Sequence, residues 1–104
     1  MIVEGVTDCA AGLTLGYYAI GRPSCLGCED KINKFIKLNS FKEAILVSDN
    51  DTPGINGAKK LQETLKIKSC LLIPPCKDLR EFLNREGTKQ DIECLLKNLI
   101  WENP

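Results

Sequence analysis

The chain has 104 residues, enough for one domain with a modest core, and its 14 basic and 14 acidic side chains give a formal net charge of zero. A neutral chain lacks the strongly basic field that drives nucleic-acid binding through counterion release, so such binding would need a local patch, a metal or a neighbouring domain. No apolar run approaches the roughly 20 residues of a membrane span, and the first residues do not form a signal peptide. These features predict one cytoplasmic domain over residues 1–104 with no membrane segment.

Short strands alternate with helices in the first half of the chain. The predicted elements are a strand at residues 1–3, a helix over 8–16, a strand at 17–20, a helix over 29–38 and a strand at 44–47. The last of these strands is a run of apolar residues rich in β-branched types. Such a run is typical of a strand that is covered on both faces in a parallel sheet.

The same alternation continues in the second half. The predicted elements are a helix over residues 53–66, a strand at 69–73, a short helix around 79–83 and a last helix over 88–100. Pro53 suits the first turn of its helix, and Thr88 can cap the last helix with Asp91 in its first turn. The last helix carries the clearest amphipathic stripe, which ends at Ile100. Strands that alternate with helices predict βαβ units and a parallel α/β sheet.

Two acids follow the predicted strand at residues 44–47. Asp49 and Asp51 are spaced i, i+2, so in an extended backbone they project to the same side at the carboxyl end of the strand, where open α/β sheets bind ligands. Two carboxylates this close repel each other unless a cation or a shared proton relieves them. Because the chain has no histidine, a hard cation such as Mg²⁺ is the natural guest.

Acids also follow the other predicted strands, and their order along the chain resembles that of the Toprim family. The resemblance rests on Glu4-Gly5-x-x-Asp8, on Asp49-x-Asp51-x-x-Gly54 and on Lys77-Asp78, each placed after a strand. Toprim domains are the metal-binding domains of bacterial primases, topoisomerases and several small nucleases. The primase and phage primase-helicase type is the most similar branch.

Two turns carry the resemblance to that branch, namely Gly21-Arg22-Pro23-Ser24 and Lys77-Asp78-Leu79. The resemblance implies a Rossmann-like sheet of four parallel strands in the order 2-1-3-4, flanked by helices, with Mg²⁺ or Mn²⁺ bound. It implies these roles: Glu4 as general acid/base or metal ligand, Asp49 and Asp51 as metal ligands, Asp8 and Asp78 as supporting acids at the metal, and Arg22 and Lys77 as phosphate-binding residues.

The implied function is nucleotidyl or phosphoryl transfer on nucleic acid, most readily DNA, with nucleotides as substrates and other replication domains or proteins as partners. One position departs from the pattern: primases often carry a second acid two residues after the last one, and this chain has Arg80 there. A second metal site is therefore less well supported. The alternatives are a small Toprim nuclease and a catalytically inactive interaction module that keeps the fold.

Simpler roles remain open for several of these residues. Asp8 and Asp78 can each cap a helix, and Arg22 can simply lie in a turn. Haloacid-dehalogenase-like phosphatases also place Asp-x-Asp after a buried strand, with one aspartate as nucleophile. They use the first strand of the domain and a different residue two places after the second aspartate. That class is a minor alternative.

The six cysteines are predicted to be reduced thiols, because no secretory signal precedes them and two lie within apolar periodic segments. Cys25 and Cys28 have the spacing of zinc ligands, but a zinc site needs four ligands. Cys76 is the next loop cysteine, and in the strand order that the resemblance implies it follows the opposite edge strand, roughly 14 Å away by strand spacing. An incidental or structural pair is the favoured interpretation, with a redox pair as the alternative.

Overall fold

The structure is a computed structural model, and it describes residues 1–22 and 28–104. Within these residues the elements are, in chain order, β1 (Ile2–Val3), α1 (Val6–Thr14), β2 (Ile20–Gly21), α2 (Cys28–Leu38), β3 (Glu43–Val47), α3 (Thr52–Thr64), β4 (Lys68–Leu72), α4 (Leu79–Asn84) and α5 (Lys89–Leu96). The strands pair in parallel in the order β2-β1-β3-β4. This confirms the α/β class and the strand order expected from the sequence.

Helices cover both faces of the sheet. On one face, side chains of β1, β3 and β4 pack against α1, α4 and α5; this cluster contains Val3, Val47, Leu72, Ala11, Leu15, Leu79, Phe82 and Ile92. On the other face, β1 and β3 pack against α2 and α3; this cluster contains Ile2, Ala44, Leu46, Ile32, Ile36, Leu61 and Leu65. Alternate residues of β3 thus enter opposite clusters, which explains its uninterrupted apolar sequence.

Several helix starts are fixed by local side-chain hydrogen bonds. Asp51 caps α3 and Asp78 caps α4. Thr88 caps α5, as the sequence predicted, and Asp91 completes a capping box by accepting the Thr88 backbone N–H in return. No helix in residues 1–22 or 28–104 is long and apolar enough to cross a bilayer.

Two predicted elements were wrong in their extent. The second strand is Ile20–Gly21 instead of residues 17–20, because it pairs with Ile2 and Val3, and β1 offers only these two residues. The last helix ends at Leu96, and Ile100 is 83% exposed instead of completing the apolar stripe. After Leu96 the chain turns, and Glu102 forms two backbone hydrogen bonds with Ser69 on the outer edge of β4. That pairing replaces the last turn of helix.

Gly87, in the turn between α4 and α5, has no room for a side chain. A Cβ there would lie closer than 3.0 Å to the ring of Phe82, which is buried in the first cluster and cannot move freely. We expect Gly87→Ala to lower the free energy of unfolding by about 1–3 kcal/mol, as overpacking does elsewhere. Urea denaturation followed by circular dichroism measures the change. Gly21→Ala is the matched control, because residue 21 is exposed and its Cβ would make only an ordinary contact, 3.9 Å from the Gly5 carbonyl; an equal loss in both variants would contradict the packing argument.

Candidate functional site

The loops after β3 and β4 are joined at the carboxyl edge of the sheet. Ser48 donates its backbone N–H to the Leu72 carbonyl at 3.2 Å, and Asn50 donates to the Lys77 carbonyl at 2.8 Å. Since the strands are parallel, this edge also receives the end of β1. The sheet therefore brings the residues that follow three strands to one place, where ligands of open α/β sheets bind.

Asp8 lies at this edge, on α1, and is only 7% exposed. Its Oδ1 accepts the backbone N–H of Arg80 at 3.1 Å, which joins α1 to the start of α4. Burial raises the pKa of Asp8 to about 6; the Arg80 hydrogen bond opposes the rise, and the charges of Asp78 and Asp49 add to it, as does a hydrogen bond with Asp49. The structure therefore brings these three aspartates within electrostatic reach of each other.

The helix-cap interpretation of Asp8 is wrong. The N-cap of α1 is Gly5, which receives no side-chain cap, and Asp8 is the third residue of the helix, with its carboxylate hydrogen-bonded to the start of α4. For Asp78 the cap interpretation holds, because its Oδ1 accepts the Glu81 N–H at 2.8 Å. Capping does not exclude a second role, since a carboxylate has a second oxygen and further lone pairs.

Asp51 is exposed, and it caps α3 by accepting the Gly54 N–H at 2.7 Å. Gly54 is required by this close approach: a Cβ there would lie 2.8 Å from Asp51 Oδ1 and 3.1 Å from the Asp49 carbonyl. The spacing Asp49-x-Asp51-x-x-Gly54 thus has a steric reason, because a side chain at residue 54 would collide with Asp51 and with the Asp49 carbonyl. It holds both aspartates at the start of α3.

Glu4 forms an ion pair with Arg22, with Glu4 Oε1 3.1 Å from Arg22 Nη2, and both side chains are partly buried. The guanidinium of Arg22 lies against α3, since a Cβ at Gly57 would be 3.2 Å from both of its terminal nitrogens. Sequence analysis assigned Glu4 and Arg22 separate roles, at the metal and at phosphate. The structure pairs them, on the α3 side of the edge.

Ser48 is a residue of this edge that sequence analysis missed. It is buried, and its Oγ has no hydrogen-bond partner among the described residues. Leu46, two residues earlier, packs towards α2 and α3, so the strand alternation places Ser48 towards the same helices. A buried hydroxyl without a partner is unfavourable. The available signal was a serine that ends an apolar run immediately before Asp49.

Lys77 is exposed, and its backbone N–H donates to Glu81 Oε2 at 2.7 Å. Glu81 also pairs with Arg85 through one helical turn at 2.8 Å. The carbonyl of Lys77 holds Asn50, so its backbone links the two loops while its side chain points to solvent. Of the remaining sequence motifs, Cys25, Pro23 and Ser24 lie outside the described residues, and with them the test of the Cys25–Cys28 pair.

The acids fit a hard divalent cation in donor type and in charge. All the candidate donors are carboxylate oxygens, which Mg²⁺ and Mn²⁺ prefer. The salt bridges of the described residues are Glu4–Arg22 and Glu81–Arg85, so Asp8, Asp49, Asp51 and Asp78 have no basic partner there. No group of three or more His, Cys, Asp or Glu side chains in residues 1–22 and 28–104 is arranged to hold a metal as it stands. Glu4 differs from these aspartates in being paired with Arg22, and it is not among the acids that raise the pKa of Asp8.

The raised pKa of Asp8 predicts how stability depends on pH. The folded protein binds the Asp8 proton more tightly than the unfolded chain, whose pKa is near 3.8, so its stability falls as the pH rises through about 4 to 6. Asp8→Asn removes this loss and keeps an oxygen to accept the Arg80 N–H. We expect the variant to gain on the order of 1–3 kcal/mol relative to wild type between pH 4 and pH 7.

Urea denaturation across that pH range measures the difference. Asp30→Asn, an exposed aspartate on α2, controls for removal of a charge. If the free-energy difference between wild type and Asp8→Asn stays constant with pH, then Asp8 is not the buried, charge-crowded group that the structure describes.

Comparison with known proteins agrees with this arrangement. A family model described as Toprim-like matches residues 1–83, which include all the candidate acids together with Arg22 and Lys77. The match ends within α4, so α5 lies beyond it. A search of curated proteins found no match. Toprim domains are metal-dependent modules of enzymes that act on nucleic acid, and the family match favours this class over the dehalogenase-like phosphatases. The fold, the placement of the acids and the match over most of the chain show that the protein belongs to the Toprim-like family.

Proposed function

We propose that residues 1–104 form one Toprim module of the primase type, which binds Mg²⁺ or Mn²⁺ and serves nucleotidyl or phosphoryl transfer on nucleic acid. Its substrates would be DNA and nucleotides, and it would work within a larger replication protein or complex. Family membership supports the general class. The subtype is supported by the sequence of the turn that begins Gly21-Arg22 and by the Lys77-Asp78-Leu79 turn.

The observation that carries the proposal is the crowding of Asp8, Asp49 and Asp78. Burial raises the pKa of Asp8 most, the charges of Asp78 and Asp49 raise it further, and no basic side chain of the described residues pairs with these acids. A divalent cation would relieve this repulsion and favour the ionised carboxylates. We propose Asp49 and Asp51 as the ligands, with Asp8 and Asp78 as supporting acids. When bound, such an ion stabilises negative charge on phosphate oxygens.

Glu4 and Arg22 would supply the remaining chemistry. We propose that Glu4 acts as general acid/base or as a further metal ligand, and that Arg22 orients its carboxylate through the ion pair. A guanidinium has five N–H donors, so Arg22 keeps donors for a phosphate oxygen while it holds Glu4. Lys77, exposed at the same edge, would add a second phosphate contact.

Metal binding is the first test. We expect Mg²⁺ and Mn²⁺ to bind wild type in calorimetric titration, and Asp49→Asn/Asp51→Asn to bind at least about tenfold more weakly, because two anionic ligands are lost. Asp30→Asn/Glu63→Gln is the matched control, since it removes two exposed acids on α2 and α3. If wild type shows no metal-dependent heat or change in stability, the inactive interaction module is the better interpretation.

The reaction separates the two enzymatic alternatives. We incubate the protein with Mg²⁺, labelled nucleotides and end-labelled single-stranded DNA, and resolve the products by length. Primase-type transfer joins the labelled nucleotides into a new strand on the DNA, and we expect this product to disappear in Asp49→Asn/Asp51→Asn. Metal-dependent shortening of the end-labelled DNA, lost in the same variant, would instead identify a small nuclease.

A further inference from the structure

A second charged region lies at the amino-terminal ends of the strands, opposite the ends that carry the aspartates. It is a pocket of about 550 Å³ between the end of α2, the segment before β3 and the segment before β4. We call it the lysine pocket, after Lys34, Lys37, Lys42 and Lys66, which line it. β3 spans five residues, so about 16 Å of strand separates this edge from the carboxyl edge.

The four lysines of this pocket are not neutralised. The one acid that lines it is Asp30, which leaves a local net charge of +3 in a chain whose total is zero. Among residues 1–22 and 28–104 no carboxylate lies within 4.0 Å of a lysine nitrogen. Four cations that converge on one concave surface repel each other, and an anionic ligand would relieve that repulsion.

Two hydrogen bonds of the Asn33 side chain hold the two walls of the pocket in place. Asn33 donates its side-chain amide to the Thr64 carbonyl at 2.9 Å and accepts the Lys66 N–H at 3.0 Å. These two bonds fasten α2 to the segment between α3 and β4. Lys34 and Lys37 on one wall and Lys66 on the other are therefore carried on backbone whose separation is fixed before any ligand binds.

Aromatic rings continue the surface beside the lysines. Phe41 lines the lysine pocket and also an adjoining apolar groove. In that groove its ring centroid lies 5.1 Å from that of Tyr18, and Phe35 lies 6.1 Å from each of the two. Tyr18 is 59% exposed although its neighbours pack against it. We call these three rings the aromatic platform.

We infer that the lysine pocket and the aromatic platform together bind single-stranded nucleic acid, with phosphates on the lysines and bases on the rings. Proteins that bind single strands without sequence preference combine a positive groove with stacking rings in this way. A duplex keeps its bases inside, so the platform would have nothing to stack. The inference deepens the proposed function, on which it rests for the choice of nucleic acid as ligand, and it adds a contact remote from the metal-binding edge.

The lysine contribution is tested by fluorescence anisotropy on the full chain with labelled oligothymidylate of about 12 nucleotides. EDTA is present throughout, so that no metal site takes part. Four phosphate contacts give a slope of log K against log salt concentration of about −2.8, and removal of two lysines brings it to about −1.4. We expect Lys34→Gln/Lys37→Gln to follow this change and to bind roughly tenfold or more weakly at low salt.

Lys59→Gln/Lys60→Gln is the matched control, because it removes the same charge from exposed positions of α3 that do not line the pocket. It should bind like wild type. If the lysine variant binds as tightly as wild type, the inference is wrong. The proposed function is still tested independently, by the metal titration.

The platform is tested separately with Tyr18→Ala, a change at an exposed ring, and with Tyr18→Phe as the conservative variant. We expect Tyr18→Ala to bind oligothymidylate about fivefold or more weakly, and Tyr18→Phe to bind like wild type. An abasic strand of the same length should bind all three proteins equally. Two results would overturn the inference: duplex DNA binding as tightly as the single strand, or polyglutamate of matched charge displacing the oligonucleotide. Either would indicate a pocket for any anion, including an acidic protein segment.

Discussion

Parallel pairing of β3 with β4 is the constraint on which the candidate site depends. It aligns the ends of the two strands, and the bond from Asn50 to the Lys77 carbonyl then fastens their loops together. That alignment brings Asp49 and Asp78 near each other, and α1 places Asp8 close enough for both to act on its pKa. The energy that holds these like charges together comes from the buried strands and helices, since the carboxylates themselves resist it. Apolar packing thus prepares an edge whose electrostatics favour a cation.

The neutral total charge of the chain conceals an uneven distribution. Unpaired aspartates gather at the carboxyl edge, and unpaired lysines gather in the pocket at the other end of the sheet. Net charge alone argued against a field that attracts nucleic acid, and that argument holds only for the average over the surface. In the function we propose, the carboxyl ends of the strands hold a metal near reacting phosphates, while the opposite ends hold a single strand at a distance.

Sequence patterns predicted the fold where local chemistry determines structure. The apolar run of β3 and the Thr88 cap of α5 are such cases. The patterns failed where a distant partner decides: β2 is short because β1 is short, and α5 stops because Glu102 pairs with Ser69.

The site follows the same rule. The order of the acids could be predicted from the sequence, because each follows a predicted strand. The ion pair of Glu4 with Arg22 joins residues 18 positions apart and carries no local signal. Gly57 likewise has a structural reason that no local pattern shows, because the Arg22 guanidinium lies where a side chain would be. Glu102 pairs with Ser69, the second residue of the outer strand β4, and so occupies backbone groups that could otherwise recruit a strand from another molecule. The last few residues therefore protect the start of this strand against edge-to-edge association.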